Sequence, residues 1–280
     1  MQAVKQAATI LPSDVVDALK RAEAKERSDL AKGQLSAILK NCEIARTGAL
    51  PICQDTGIQT FFVEAGMSSP YLAKLRVIGA FIAEATAEAT VAIPLRPNTV
   101  DPFTGKNPGD NLGRFMPYIN WELVDGDEIM ITLLPKGGGS ENMSALMMLT
   151  PGVGMEGLKE AVVDHVVACG GKPCPPTIVG LGIGGGADIA LKLAKRALLR
   201  DVGSRHPEPV VASLEGEILE LLNMSGLGPM GIGGVTTALA VHVEYAFRHP
   251  AALPLGIVLQ CWADRRAKVR ITADGRVEVI

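Results

Sequence analysis

The stretch that most constrains the fold of this chain runs from Cys174 to Lys195 and reads CPPTIVGLGIGGGADIALKLAK. An apolar run meets a glycine cluster and then a segment with helical periodicity, which predicts a strand that turns directly into a helix. Gly180, Gly182 and Gly185 have the spacing G-x-G-x-x-G, which suggests a dinucleotide site on such a turn. Two interpretations therefore compete within one stretch: a nucleotide site at the glycines, or a site at the cysteine.

Composition favours helices packed on sheets. Hydrophobic residues make up 48% of the 280 residues and aromatic residues only 4%, so the apolar bulk comes from Ala, Val, Leu and Ile. A chain of this length buries a sizeable core, and no linker or internal repeat divides it. We therefore predict a single domain over residues 1–280 of the α/β (mixed α+β) class, with mixed β-sheets flanked by helices.

Charge and hydropathy exclude two classes of partner. The net charge of −3 gives no basic stripe for nucleic acid, and the few aromatic residues offer no stacking platform. No apolar run approaches the roughly 20 residues that a membrane-spanning helix needs. The N-terminus lacks the pattern of a signal peptide, so the expected location is cytoplasmic.

The periodic segments predict the elements that surround the glycine-rich stretch. The first predicted helix begins at Ser13. Further helices are predicted at about 34–46, 71–89, 156–168, 187–200, about 213–223 and 235–248. Predicted strands are residues 59–66 and 253–263, with hairpins at 122–136 and 267–280, each around an Asp-Gly turn. Between them lies a 22-residue loop, 93–114, dense in Pro, Asn, Asp and Gly. Loops of that length without regular structure tend to be functional.

The dinucleotide interpretation lacks a clear partner residue. A dinucleotide fold places an acidic residue about 20 positions beyond the last glycine. Position 205 is Arg, and the nearest acidic candidates are Glu208 and Glu215. The alternative is that Gly184 to Gly186 form a tight turn that lets two backbones pack closely.

Two more glycine clusters resemble the first in setting. They are KGGGS at 136–140 and LGPMGIGGVTT at 227–237, and each comes just before a predicted helix. The main-chain N–H groups of such turns can hold an anion. Three turns of this kind fit a small, doubly charged substrate better than one nucleotide.

The five cysteines fall into two groups. Cys42 and Cys169 lie within helical patterns, which is typical of buried packing. Cys53, Cys174 and Cys261 lie at loop or strand ends, in PICQDTG, KPCPP and LQCWADRR. Three thiolates from separate segments can hold an iron–sulfur cluster, because soft thiolates favour such clusters. Three ligands on a four-iron cluster leave one iron open to act as a Lewis acid.

Three further residues are candidates for binding or catalysis. Asp55 stands two residues after Cys53 and can reach whatever binds there, although DTG is also typical of a simple turn. Arg96, in LRPN, carries the planar fork that binds carboxylates, or it ties the long loop together. Among the four histidines, His249 follows a predicted helix and is the functional candidate.

Five motifs in order resemble one enzyme family. PICQDTG, the RPN loop, KGGGSENMS, CPP-x-I-V-G-x-GIGG and QCWADRR look like the class I, iron–sulfur-dependent fumarate hydratase and L-tartrate dehydratase family. The similarity is to its α subunit, which is equivalent to the N-terminal half of the single-chain enzymes. It extends from about residue 13 to residue 280.

The resemblance implies a cofactor and a set of site residues. A [4Fe–4S] cluster would be bound by Cys53, Cys174 and Cys261, and Asp55 would take part in acid–base chemistry. The residues implied to contact the dicarboxylate are Gln54, Arg96, Gly138, Gly139 and His249.

The resemblance also implies the reaction and a partner. The expected reaction is the reversible hydration of fumarate to (S)-malate, with dehydration of L(+)-tartrate to oxaloacetate as the alternative. The family's catalytic threonine, further substrate arginines and a lysine lie in its other half, so a separate β subunit is expected in an αβ or α2β2 assembly. A dinucleotide-binding oxidoreductase and a non-catalytic assembly partner without a cluster remain alternatives from other classes.

Overall fold

The computed structural model describes residues 1–280 and contains eight α-helices and nine strands. The helices are α1 (Gln2–Thr9), α2 (Ser13–Lys25), α3 (Asp29–Gly48), α4 (Leu75–Ala92), α5 (Gly138–Glu141), α6 (Gly154–Cys169), α7 (Ala187–Ala197) and α8 (Pro209–Met224). The strands are β1 (Ile58–Gly66), β2 (Tyr118–Val124), β3 (Ile129–Lys136), β4 (Ala145–Leu149), β5 (Thr177–Gly185), β6 (Ala238–Arg248), β7 (Leu253–Gln260), β8 (Ala267–Ile271) and β9 (Val277–Val279). The mixed class is confirmed, and none of the helices has the length and apolar character needed to cross a bilayer.

The chain divides into two compact units. Unit 1 comprises residues 1–12, 41–138 and 265–280, and unit 2 comprises residues 13–40 and 139–264. Each unit has its own sheet and its own hydrophobic core. The single domain over residues 1–280 stays a prediction.

Unit 1 is built on a five-stranded sheet in the order β2-β1-β3-β8-β9. Strand β1 is parallel to β2 and antiparallel to β3. Its Phe61 and Val63 pack in a core with Ile82 of α4 and Leu133 of β3. The predicted helix at 71–89 therefore forms and buries the expected face, although its α-helical part begins at Leu75 after a short 3₁₀ turn.

The hairpin predicted at 122–136 is wrong. Strands β2 and β3 both form, but β1 lies between them in the sheet. The connection at 125–128 crosses the end of β1, where Gly66 N–H donates to the Glu128 carbonyl at 2.8 Å. Most residues of β1 are buried, with Ile58 the one exposed residue, and β2 and β3 pair with its two edges. The Asp-Gly turn is a local signal, so it does not reveal that β1 inserts between β2 and β3.

Unit 2 is built on a four-stranded sheet in the order β4-β7-β5-β6. Strand β5 is parallel to β6 and antiparallel to β7. Helices α6 and α8 cover one face through residues such as Leu158 and Ile218. Helix α7 covers the other, where a Cβ on Gly182 or Gly256 would overlap the Ala190 carbonyl oxygen.

The helix predicted at 235–248 is also wrong, because residues 238–248 form strand β6. Its apolar residues suit either period over a short run, and Thr236 and Thr237 before it resemble the cap of a helix. In the structure Val241 and Val243 are buried in the unit 2 core, and β6 pairs with β5 from Thr177 onward. The other predicted helices form, and the strand at 253–263 and the hairpin at 267–280 form as β7 and as β8 with β9.

Candidate active site

Asp55 is the most firmly held of the candidate residues in unit 1. Its Oδ2 accepts the N–H of Gly138 at 2.8 Å. Its Oδ1 accepts the N–H of Gly57 at 3.0 Å and the Asn98 side-chain amide at 3.3 Å. Both carboxylate oxygens are thus oriented by neutral N–H donors, and the half-buried side chain keeps lone pairs for a proton.

The long loop 93–114 has no regular secondary structure, as predicted, and its path is set by side chains. Asn111 is 3% exposed with φ of 62°, a conformation that Asn tolerates better than most residues. It accepts the Asn98 N–H at 2.6 Å and donates to the Arg96 carbonyl at 3.2 Å. Thr56, next to Asp55, also donates to that carbonyl at 3.2 Å. The loop backbone is therefore tied to the Asp55 segment, while the Arg96 side chain is exposed.

Three polar residues of unit 1 that contact the candidate site were not predicted from the sequence. Asn98 and Asn111 orient Asp55 and the Arg96 turn, and Arg265 donates to the Asp55 main-chain carbonyl at 2.9 Å. Asn98 stands within the RPN motif, and Arg265 stands within QCWADRR, so both motifs contained a signal. Asn111 had none beyond the polar composition of its loop.

In unit 2 the structure brings Cys174 and Cys261 into neighbouring segments. Trp262, which follows Cys261, donates its N–H to the Cys174 carbonyl at 3.1 Å. Cys174 has φ of 55°, a left-handed conformation that costs a non-glycine residue roughly 1 kcal/mol. It lies in the turn before β5, where its N–H donates to the Gly171 carbonyl at 3.1 Å. Strain at a half-buried thiol next to a second thiol segment points to a functional position.

The glycine-rich loop 227–237 supports the Cys174 segment. Met230 donates its N–H to the Pro175 carbonyl at 2.8 Å. Glu26 holds the far side of this loop, because its carboxylate accepts the Val235 N–H at 2.9 Å. Burial raises the pKa of Glu26, but the N–H donors of Ser28, Val235, Arg27 and Thr236 outweigh burial and leave the pKa below its ordinary value of 4.5.

We expect Glu26→Gln to lower the free energy of unfolding at pH 7 by about 2 kcal/mol, because an amide accepts hydrogen bonds at only one of its two polar atoms. The lowered pKa means that the stabilisation is present above the ordinary pKa and is lost as the pH falls through the folded-state pKa. The difference between variant and parent should therefore shrink below about pH 4.5. Urea denaturation at several pH values measures it, with exposed Glu220→Gln as control. A difference that stays constant down to pH 3 would contradict the assignment.

The two packing cysteines differ physically from the three candidate ligands. Burial raises the pKa of Cys42 to about 11. Burial also raises the pKa of Cys169, although Lys172 partly offsets it. A thiol must be deprotonated to bind iron, so both positions disfavour metal binding. Cys53, Cys174 and Cys261 are half-buried and form no disulfide.

The thiols fit the chemistry of an iron–sulfur cluster. Gln260, directly before Cys261, is fully buried, and neither atom of its amide has a hydrogen-bond partner. Buried polar atoms are normally hydrogen-bonded, so the Gln260 amide can serve a group bound beside Cys261. No three His, Cys, Asp or Glu side chains come close enough to hold a single metal ion. In a cluster each cysteine binds a different iron, so its ligands lie farther apart than those of one ion.

The residues implied to bind substrate are all exposed in the structure: Gln54, Arg96, Gly138, Gly139 and His249. In unit 2, Gly139 lies against the turn that leads to Cys174, since a Cβ on it would be 3.5 Å from the Lys172 carbonyl. His249 lies elsewhere in that unit. His249 lies before β7 and Cys261 lies after β7, so a strand about 25 Å long separates the two residues.

The glycines of β5 need no nucleotide to explain them. Gly180 and Gly182 lie within the strand, where the backbone of α7 occupies the space of their missing side chains. Glu215 is fully buried and accepts from the Arg200 guanidinium at 2.6 Å and from the Val243 N–H at 2.9 Å. Its carboxylate is thus hydrogen-bonded inside unit 2. The close-packing interpretation, made for Gly184 to Gly186, agrees with Gly184, where a Cβ would be 2.0 Å from the Ala246 carbonyl oxygen.

Comparison with known proteins agrees with the five sequence motifs. Residues 1–270 match the family model described as fumarate hydratase (fumerase). A Methanocaldococcus jannaschii protein, provisionally named L(+)-tartrate dehydratase subunit alpha, is 48% identical over 275 residues, covering 98% of this chain and 96% of the relative. The L(+)-tartrate dehydratase subunit alpha of Escherichia coli strain UTI89 is 38% identical over 267 residues, covering 95% of this chain and 87% of the relative. The chain therefore belongs to the fumarate hydratase family of hydro-lyases.

Proposed function

We propose that this chain is the α subunit of an iron–sulfur-dependent hydro-lyase that interconverts fumarate and (S)-malate. The observation that carries the proposal is the Asp55 carboxylate, whose two oxygens are oriented by Gly138, Gly57 and Asn98. An oriented carboxylate with free lone pairs is suited to move a proton to or from a carbon atom. Membership of the fumarate hydratase family supports the reaction class.

The proposed cofactor is a [4Fe–4S] cluster bound by Cys53, Cys174 and Cys261. When bound, it supplies an open iron that acts as a Lewis acid on the hydroxyl group that leaves or adds. The chain's own contribution is to present three half-buried thiols while two other thiols stay buried.

The protein's own groups transfer the proton and bind the substrate carboxylates. Asp55 exchanges the proton with the carbon next to the C–O bond. The exposed Arg96 and the main chain at Gly138 and Gly139 bind the substrate carboxylates, which carry the developing negative charge. Gln54 and His249 are further proposed contacts, with His249 at the opposite end of β7 from Cys261.

L(+)-tartrate is a second candidate substrate. Loss of water from it gives the enol of oxaloacetate, so the same proton transfer and C–O cleavage are needed. The specific observation in its favour is that relatives 37–48% identical to this chain carry the tartrate dehydratase name. Parallel assays with fumarate, (S)-malate and L(+)-tartrate compare the two, and the ratio of kcat/KM values decides between them.

The relatives' name, subunit alpha, supports a separate β subunit. We expect the purified chain, reconstituted anaerobically with iron and sulfide, to bind a cluster but to show little or no turnover alone. Co-expression with the β subunit should give an active enzyme, because the proposed site takes further catalytic residues from that subunit. The measurement is turnover per cluster with and without the partner, and full turnover by the isolated chain would overturn the proposal of an incomplete site.

A further inference from the structure

Arg265 stands out among the buried side chains because its guanidinium forms no direct ion pair. It is 1% exposed and is the largest fully buried side chain. Its Nη1 donates to the main-chain carbonyl of Asp55 at 2.9 Å, and its Nε is buried without a hydrogen-bond partner. A buried guanidinium normally pairs with a carboxylate, since an uncompensated buried charge is costly. Here its one hydrogen bond goes to a neutral carbonyl oxygen.

The guanidinium borders the same small space as the Asp55 carboxylate. A Cβ placed on Gly137 would be 3.1 Å from Asp55 Oδ2 and 3.8 Å from Arg265 Nη2. Because position 137 is a glycine, no side chain lies between the Asp55 carboxylate and the Arg265 guanidinium at this point. All three residues belong to unit 1, so this arrangement is internal to one compact unit.

We infer that Arg265 binds one carboxylate of the substrate and holds it beside Asp55. The inference rests on the proposed function, because it takes the dicarboxylate as the ligand. The planar fork of Arg pairs with a carboxylate through two parallel N–H···O bonds, and burial strengthens that pairing. The hydrogen bond to the Asp55 carbonyl fixes the distance between the bound carboxylate and the proton-transferring group.

Arg265→Gln in the reconstituted αβ enzyme tests the inference. We expect it to raise the dissociation constant of succinate, an unreactive dicarboxylate, and the KM of the substrate by roughly 10- to 100-fold. Iron content per chain should stay unchanged. Arg270→Gln is the matched control, since Arg270 is a half-buried arginine of the same unit that pairs with Glu128 at 3.3 Å.

Stability of the substrate-free protein separates ligand binding from a structural role. Removing an uncompensated buried charge should leave the unfolding temperature unchanged or higher, whereas a structural role predicts a fall. If Arg265→Gln does not fold, Arg265→Lys carries the test, because it keeps the charge but loses the fork. We expect it to weaken succinate binding roughly tenfold.

The outcomes separate this inference from the proposed function. Unchanged succinate affinity in the variant overturns the role of Arg265 even if the parent enzyme turns over normally. Loss of iron with unchanged succinate binding per loaded site also overturns it and assigns the guanidinium to the cluster. A parent that binds succinate through Arg265 but turns over neither candidate substrate overturns the proposed function alone. A parent that binds no dicarboxylate overturns both.

Discussion

Cys174→Ser should leave the αβ enzyme without a normal [4Fe–4S] cluster and reduce turnover to background. A serine hydroxyl is a poor substitute for thiolate on iron, because soft thiolate ligands select such clusters. The loss should exceed that of any other substitution, since the cluster supplies the Lewis acid of the proposed reaction. Cys53→Ser and Cys261→Ser should behave alike.

Cys42→Ser is the control for the cysteine series. The Cys42 thiol lies in α3, where burial raises its pKa to about 11, so it is protonated at neutral pH and binds no iron. Iron and sulfide analysis after anaerobic reconstitution, together with EPR of the reduced protein, measures cluster content. A normal cluster in Cys174→Ser combined with a lost cluster in Cys42→Ser would show that the ligand set is wrong.

Asp55→Asn should lower kcat by roughly 10²- to 10⁴-fold, the usual contribution of a general acid or base. The amide has nearly the same shape, so the fold should persist. It accepts hydrogen bonds at only one of its two polar atoms, so we expect a loss of stability similar to that of Glu26→Gln. The side chain no longer accepts a proton, which removes the proposed proton transfer. KM should change much less than kcat, because substrate carboxylates are bound by other groups.

Two readouts distinguish a lost proton carrier from a disturbed site in Asp55→Asn. Cluster content should equal that of the parent, and the affinity for succinate should change by less than roughly threefold. Asp17→Asn, an exposed position of α2 that pairs loosely with Lys20 at 3.6 Å, is the matched control. Parent-like kcat in Asp55→Asn would remove this residue from the mechanism.

Local signals predicted most of the elements that position the candidate site. The strand-to-helix unit at 177–197 follows from its apolar run and glycines, and α2 begins at Ser13, the predicted start. The half-buried state of Cys174 and the buried state of Cys42 agree with the loop and helix contexts in their sequences. These features depend on neighbours in the chain, which sequence patterns report directly.

Features that depend on distant segments were missed. Insertion of β1 between β2 and β3 requires a register that no residue of 122–136 reveals. Arg265 reaches Asp55 across 210 positions, and Asn111 reaches Thr90 across 21. A polar residue in a motif or loop carries no mark of its own burial, so its role emerges only when the chain is folded.

The strand order of unit 1 has a consequence for synthesis on the ribosome. Strand β3, complete at Lys136, takes its second neighbour from β8, which begins at Ala267. The whole of residues 139–264 must be translated in between, so one edge of β3 stays open until the last part of the chain emerges. Such non-local pairing slows folding and exposes an unpaired strand edge meanwhile. Nascent chains arrested before residue 267 should therefore depend on chaperones to keep that edge from aggregating.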